Sequence, residues 1–115
     1  MRKTMKGTHE VILCIVNAGF SEAAMDAAKM HGAGGGTVIH ARGTAGMEAE
    51  KMFNITIEPE KEIVMIIVEK EKRDAILHAL YNAVGLNTPG QGIAFALPVD
   101  KAIGLSSKKT ENPEQ

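Results

Sequence analysis

The sequence has little that is aromatic: only 3% of its 115 residues, with no tryptophan, one tyrosine and three phenylalanines. That argues against platforms on which single-stranded bases stack. There is one cysteine, Cys14, so an internal disulfide is excluded and a reducing compartment is suited. The formal net charge is −1, so no broad basic field draws nucleic acid or an anionic membrane. No apolar run approaches the roughly 20 residues of a membrane span. The start of the chain is basic and residues 11–16 are apolar, but that run is too short for a signal peptide. Glu10 precedes it and no small-residue cleavage site follows. These absences point to a cytoplasmic protein with no nucleic-acid partner and no membrane insertion. Catalytic machinery is equally thin, because no local motif assembles a nucleophile, a base and an oxyanion donor. The expectation is a protein that is not an enzyme.

What the sequence does have is glycine, in two places. In Gly32-Ala-Gly-Gly-Gly36 four glycines fall within five residues, just past a helical pattern and just before the β-type run Thr37-Val38-Ile39. One of them is expected to cap the helix in a left-handed conformation. The others let the backbone pass close to something without a Cβ in the way. Arg42 and Gly43 end the run with a charge and a hinge. The second stretch, Gly90-Gln91-Gly92, again precedes an apolar run. Two such loops, each joined to a strand, are suited to wall a small-molecule site.

The length and the ordinary apolar and charged fractions, 44% and 23%, fit one domain over residues 1–105. Residues 106–115 lack core-forming side chains and are expected to be disordered. Residues 1–8 read as a loose arm. Residues 11–16 form a continuous β-branched run, a buried strand. Ser21 serves as N-cap of a helix to about Met30, with Glu22 in its first turn and Ala24, Met25, Ala27 and Ala28 on its buried face. A second strand covers about residues 37–42. Residues 43–52 read equally as a plain hairpin loop, as one helical turn, or as a mobile loop that meets a partner. Residues 53–57 alternate apolar and polar, Pro59 interrupts, and residues 63–68 carry the strongest strand signal, so the two form a hairpin or one long bent strand. The charged run 69–74, read as a solvated face, opens a second helix. Its apolar residues Ile76, Ala79, Leu80, Ala83 and Val84 share one face, and Gly85 ends it. Residues 93–97 make a fourth strand that Pro98 breaks, with a short edge strand over 99–105.

The order β-α-β-β-α-β with right-handed crossovers predicts an α+β, ferredoxin-like fold: an antiparallel sheet with two helices on one face. Strands such as 63–68 are apolar on both sides, and no third helix exists to cover the other face. The sheet is therefore expected to pack against further copies of the chain, as a trimer. Among residues with chemistry, His9, His31, His40 and His78 show no helical metal-site spacing. A Cys14–His40 site is the sharper reading, and a core thiol with a surface imidazole the plainer one. Glu58, Glu60 and Glu62 alternate along a strand and read as a solvent-facing edge.

The order of elements and the two glycine loops resemble the PII family of nitrogen-regulatory signal proteins over about residues 9–105. The resemblance rests on residues 36–43, on residues 55–68 with their internal Pro59, and on Gly90-Gln91-Gly92 followed by Ile93-Ala94-Phe95. It implies a cytoplasmic homotrimer that binds adenine nucleotides in clefts between subunits. Such a protein reports energy, nitrogen or carbon status through a loop that docks on transporters, enzymes or regulators. By position, Thr37 and Gly43 match residues near the nucleotide, with Arg42 beside them. Gly90 and Gly92, flanking Gln91, match the phosphate-side loop, and Ile15 and Val64 match the surroundings of the adenine. The sequence departs from the family's pattern in its loop, 43–52, which is about half the usual length and lacks the tyrosine that family members often have modified. Gln91 stands where an acid is usual, Ile93 where a lysine is usual, and Gly104 and Ser106 replace two arginines. AMP or ADP is therefore expected to bind better than ATP, with Arg42 or Lys101 restoring part of the lost charge. The alternative is a trimeric divalent-metal-binding protein of the CutA type. A third reading is a ligand-binding regulatory domain detached from an enzyme.

Overall fold

A computed structural model of the chain describes residues 4–44, 50–52, 54, 59–88 and 90–105. Strand β1 (Thr4–Asn17) is followed by helix α1 (Ser21–Met30), strand β2 (Thr37–Arg42) and strand β3 (Glu60–Glu69). A short 3-10 turn, Lys70–Lys72, leads into helix α2 (Arg73–Ala83), and strand β4 (Gly92–Ile103) completes the set. The strands form one sheet in the order β2-β3-β1-β4, and every neighbouring pair is antiparallel. This is the expected ferredoxin-like α+β arrangement, with β1 and β3 central.

Alternation along the strands sorts side chains onto two faces. On one, Ile12, Cys14 and Val16 of β1 and Val64, Ile66 and Val68 of β3 are buried against the helices. The helices answer with Ala24 and Ala28 from α1 and Ile76 and Leu80 from α2, each pair one turn apart. The alanines let α1 lie close to the sheet, and each large aliphatic side chain buried here contributes about 1.5–3 kcal/mol. On the other face the register lines up Ile39, Ile63, Ile15 and Ile93 in one row and Met65, Leu13 and Phe95 in the next. Ile67, Val11 and Leu97 make a third row. No described element covers this face, where Ile93 is 55% exposed and Leu97 47%.

Both helices end on the glycines expected of them. Gly32, at φ +105°, follows α1, with Ala33 N–H donating to Ala28 O and Gly32 N–H to Lys29 O. Gly85, at φ +67°, does the same for α2, with Leu86 N–H donating to Tyr81 O. These are paired closures that satisfy the last carbonyls of a helix.

Several sequence expectations are corrected. The N-terminal arm is not loose from Thr4 onward, because β1 begins there and pairs with the end of β4. Pro98 does not break β4. It sits inside a continuous strand opposite Glu10, and β4 is an edge strand, where a residue without an N–H is tolerated. Ser21 is the first residue of α1 and not its cap, and Phe20 before it offers no capping side chain. The charged run 69–74 forms the end of β3 and a 3-10 turn before α2 starts. Ala83 is exposed, while Val84, just past the helix, is buried. Of the 43–52 loop, residues 50–52 are helical and 45–49 lie outside the described residues. So do residues 53 and 55–57 of the expected strand 53–57, residue 58, and the C-terminal tail from 106. Asn54 is a turn residue at φ +53°.

Candidate functional site

Gly43 and the Gly90–Gly92 loop come to the same end of the sheet, on opposite edges, whereas the Gly32–Gly36 run enters β2 at its other end, opposite Met65. The two glycine stretches expected to wall one site are therefore not brought together in one chain. Gly43 follows β2, and its N–H donates to Pro59 O at 2.6 Å. Gly90, Gln91 and Gly92 lead into β4. Between them lie the ends of β3 and β1, so the two loops are about 14 Å apart at a strand spacing near 4.8 Å.

The gap is bridged by a chain of polar side chains. Lys61 Nζ donates to Asn17 Oδ1 at 2.5 Å. Asn17 Nδ2 donates to Gln91 Oε1 at 2.9 Å and to Gly90 O at 3.3 Å. Lys61 also touches the β2 side, because a Cβ on Gly43 would lie 2.9 Å from Lys61 Cε. Lys61 and Asn17 were not among the residues singled out from the sequence. They sit directly opposite one another, Asn17 on β1 and Lys61 on β3, and only the register puts them together.

Gly92 fixes the β4 side. Its φ is +148°, and a Cβ there would come 2.2 Å from Ile15 O. Gly90, at φ +85°, is also left-handed. Within the Gly32–Gly36 run, Gly36 is the tightly packed glycine, with a Cβ position 2.9 Å from Met65 O and 3.0 Å from Met25 Sδ. A Cβ at Gly34 or Gly35 would meet nothing.

The structure does not bring together all the residues singled out. Ile15 is on the bare face, while Val64 is fully buried on the helix face beside Cys14. The two cannot line one pocket in this chain. Thr37 starts β2 opposite Met65, five residues from Arg42 at the strand's other end. Arg42 is exposed and stands opposite Glu60. Cys14 and His40 are likewise apart, the thiol buried in the core and the imidazole exposed on edge strand β2. Burial pushes the Cys14 thiol up to about 11. Among the described residues no group of three His, Cys, Asp or Glu is placed to hold a metal ion.

Two carboxylates near the helix starts have structural work. Glu62 is not a plain solvent-edge acid. Its Oε1 accepts from Gly19 N–H at 3.1 Å and from Ser21 N–H at 3.2 Å, so it supplies the cap that Phe20 cannot. The Ser21 hydroxyl, the Gly19 amide and the Ser21 amide hold its carboxyl below its ordinary value, with His40 opposite adding to the effect. Glu10, 7% exposed, accepts from Arg73 Nη1 at 2.7 Å, pinning the start of α2 to β1.

Chemically, this end of the sheet offers backbone amides from left-handed glycines, one ammonium and two amide side chains. Such a set suits a small polar or anionic ligand. A four-stranded antiparallel sheet with two helices on one face and the other face bare defines a small ferredoxin-like protein. No family model matches the sequence, and no curated protein matches it. Among solved structures, that of Arabidopsis thaliana PII bound to citrate is similar at a TM-score of 0.63 and 20% identity, covering 82% of this chain and 77% of that one. The B. subtilis GlnK–ATP complex is similar at a TM-score of 0.60 and 17% identity, covering 84% of this chain and 85% of that one. The chain thus has the PII fold. No helix among the described residues is long and apolar enough to cross a membrane.

Proposed function

We propose that this chain is a divergent PII-like signalling protein, a homotrimeric, non-catalytic sensor of a small molecule in the cytoplasm. The observation that carries the reading is the pairing of the PII fold with a sheet face left bare. About ten apolar side chains stand in register on that face, more than a lone monomer normally exposes in one patch. Packing the sheets of further copies together covers it.

Assembly also supports a site between subunits. Gly43 and the Gly90–Gly92 loop lie on opposite edges of one sheet, too far apart to close on one small ligand. When the β2 edge of one copy abuts the β4 edge of the next at this end, Gly43 and Arg42 face Gly90, Gln91 and Gly92 across the boundary, with Thr37 further along β2. The solved relatives hold citrate and ATP respectively. For this chain an adenine nucleotide-type ligand with fewer phosphates fits better than ATP. Ile93, Gly104 and Ser106 supply no charge where the family resemblance leads one to expect a lysine and two arginines. Each hydrogen bond to a charged group is worth about 1.5–3 kcal/mol, so losing three costs about 4–9 kcal/mol if additive. Lys61 returns part of this. Signalling then runs by protein contacts through the shortened 43–52 loop, onto a transporter, enzyme or regulator of nitrogen or carbon metabolism.

Light scattering on the dilute protein tests the assembly. The reading expects a particle of three chains of 12.3 kDa each, and a stable monomer overturns it.

A further inference from the structure

The net charge of −1 averages over an uneven distribution. Six of the thirteen basic residues fall in two short segments that hold no acid: Arg2, Lys3 and Lys6 in residues 1–9, and Lys101, Lys108 and Lys109 in residues 101–110. The other seven, and all fourteen acidic residues, lie in the rest of the chain. The register brings the two segments together. Thr4 pairs with Ile103 and Lys6 with Lys101, in a two-stranded ribbon that runs past the end of β3, which stops at Glu69 opposite His9. Lys108 is five residues beyond Ile103, within about 18 Å of chain.

A bulge fixes how the ribbon presents its charge. The pair His9–Val99 is followed by the pair Lys6–Lys101, three steps along β1 against two along β4. The extra residue lies at Gly7-Thr8, where Gly7 takes φ +70°. Without it, Gly7 would stand opposite Lys101. With it, two exposed lysines stand directly opposite one another. Such a pair is unfavourable by itself, and neither lysine has an ion-pair partner among the described residues. The neighbouring run 69–74 supplies none, because its three acids and three bases balance. Lys72 holds Glu69, and Arg73 holds Asp74 and Glu10. Alternation puts Asp100 on the other face of β4. On the lysines' own face stands Ile103, 79% exposed.

We infer that the ribbon is a docking surface for an anionic phospholipid membrane, with Lys6 and Lys101 on headgroup phosphates and Ile103 sunk between the lipids. Charge complementarity selects an anionic occupant. The ribbon's other side chains select among anionic partners. A nucleic-acid groove is read by Arg, Asn or Gln, and residues 4–8 and 99–103 contain none of these. A leaflet offers phosphate and hydrocarbon at adjoining depths, which suits lysines beside an exposed isoleucine. Adsorption of this kind lays the ribbon on the surface without spanning it. It depends on neither the ligand nor the assembly proposed above.

Flotation of the full chain with vesicles of phosphatidylglycerol and phosphatidylcholine tests this, beside vesicles of phosphatidylcholine alone and a DNA duplex. The wild type is compared with Lys6→Gln/Lys101→Gln and with Ile103→Ser, and circular dichroism checks folding. The expected result is binding to the anionic vesicles only, weakening as salt is raised. Each lysine near an anionic surface is worth about fivefold, so the double variant should bind about tenfold or more weakly. Ile103→Ser leaves the charge unchanged and should bind about fivefold or more weakly. No binding of the wild type to anionic vesicles overturns the proposal, as does DNA binding at least as tight as vesicle binding. If both variants bind like the wild type, the ribbon is not the docking surface. If Ile103→Ser alone binds like the wild type, the insertion of Ile103 is overturned. If Ile103→Ser fails to fold, the lysine variant decides, because both lysines are exposed.

Discussion

Gly92 and Ile15 stand in a relationship that only glycine permits: a Cβ at position 92 would lie 2.2 Å from the carbonyl oxygen of Ile15, with φ at +148°. The clash is with backbone, which cannot swing aside as a side chain can. Gly92 therefore sets how closely the Gly90–Gly92 loop is drawn over the end of β1, where Asn17 holds Gln91.

The first prediction contrasts two glycines. Gly92→Ala is expected to cost about 2 kcal/mol or more, from backbone strain and displacement of the strand pairing. Gly34→Ala meets open space, and its φ lies outside the left-handed range. It should be neutral, or stabilising by about 0.4–1 kcal/mol through a less flexible unfolded chain. Urea unfolding of both variants checks the difference. Equal effects would show that the loop is not drawn onto β1 as described.

The second prediction concerns Glu62. The Ser21 hydroxyl and the Gly19 and Ser21 amides hold its pKa below the ordinary carboxylate value in the folded state. A group of this kind stabilises the fold above its unfolded value, and the contribution is lost as pH falls through the folded one. Stability of the wild type should therefore decline on acidification below about pH 5, where unfolded carboxylates begin to protonate. Glu62→Gln should start lower at neutral pH and decline less over that window. Parallel pH profiles for the two proteins would remove Glu62 from the cap of α1.

The third prediction concerns Cys14, which is fully buried and whose thiol is pushed up to about 11. The thiolate is the reactive form, so native protein at pH 8 should react with a disulfide reagent far more slowly than the same protein in urea. The raised value also fixes the sign of the alkaline effect. Its contribution is complete below the unfolded value near 9 and falls away as pH rises toward 11. Rapid native labelling would place the thiol outside the core.

Much of the fold was legible because local pattern and global fold agree. The β-branched run at residues 11–16 and the one-turn spacing of Ile76 and Leu80 announce a strand and a helix, and both fall where the core needs them. The misread parts depend on partners far away in the chain. The segment Thr4-Met5-Lys6-Gly7-Thr8 has no apolar alternation, and it becomes strand because residues 101–103 lie beside it. Pro98 reads as a breaker until β4 is known to be an edge. Glu62 caps a helix from another strand, a contact that sequence spacing does not encode. At the candidate site, the glycines were legible, whereas Lys61 and Asn17 emerge only from the register of β1 on β3. Ile15 and Val64 were grouped by resemblance, but the pleat sends them to opposite faces.

Calorimetric titration of the assembled protein with AMP, ADP and ATP tests the central claim, that this is a PII-like sensor whose phosphate side has lost charge. The account predicts saturable binding of AMP or ADP, with ATP weaker than both. It also predicts that Lys61→Ala weakens the bound nucleotide by roughly 10-fold to 100-fold, the loss of one hydrogen bond to a charged group. If ATP binds most tightly, or if no adenine compound binds at all, the account of the site is contradicted.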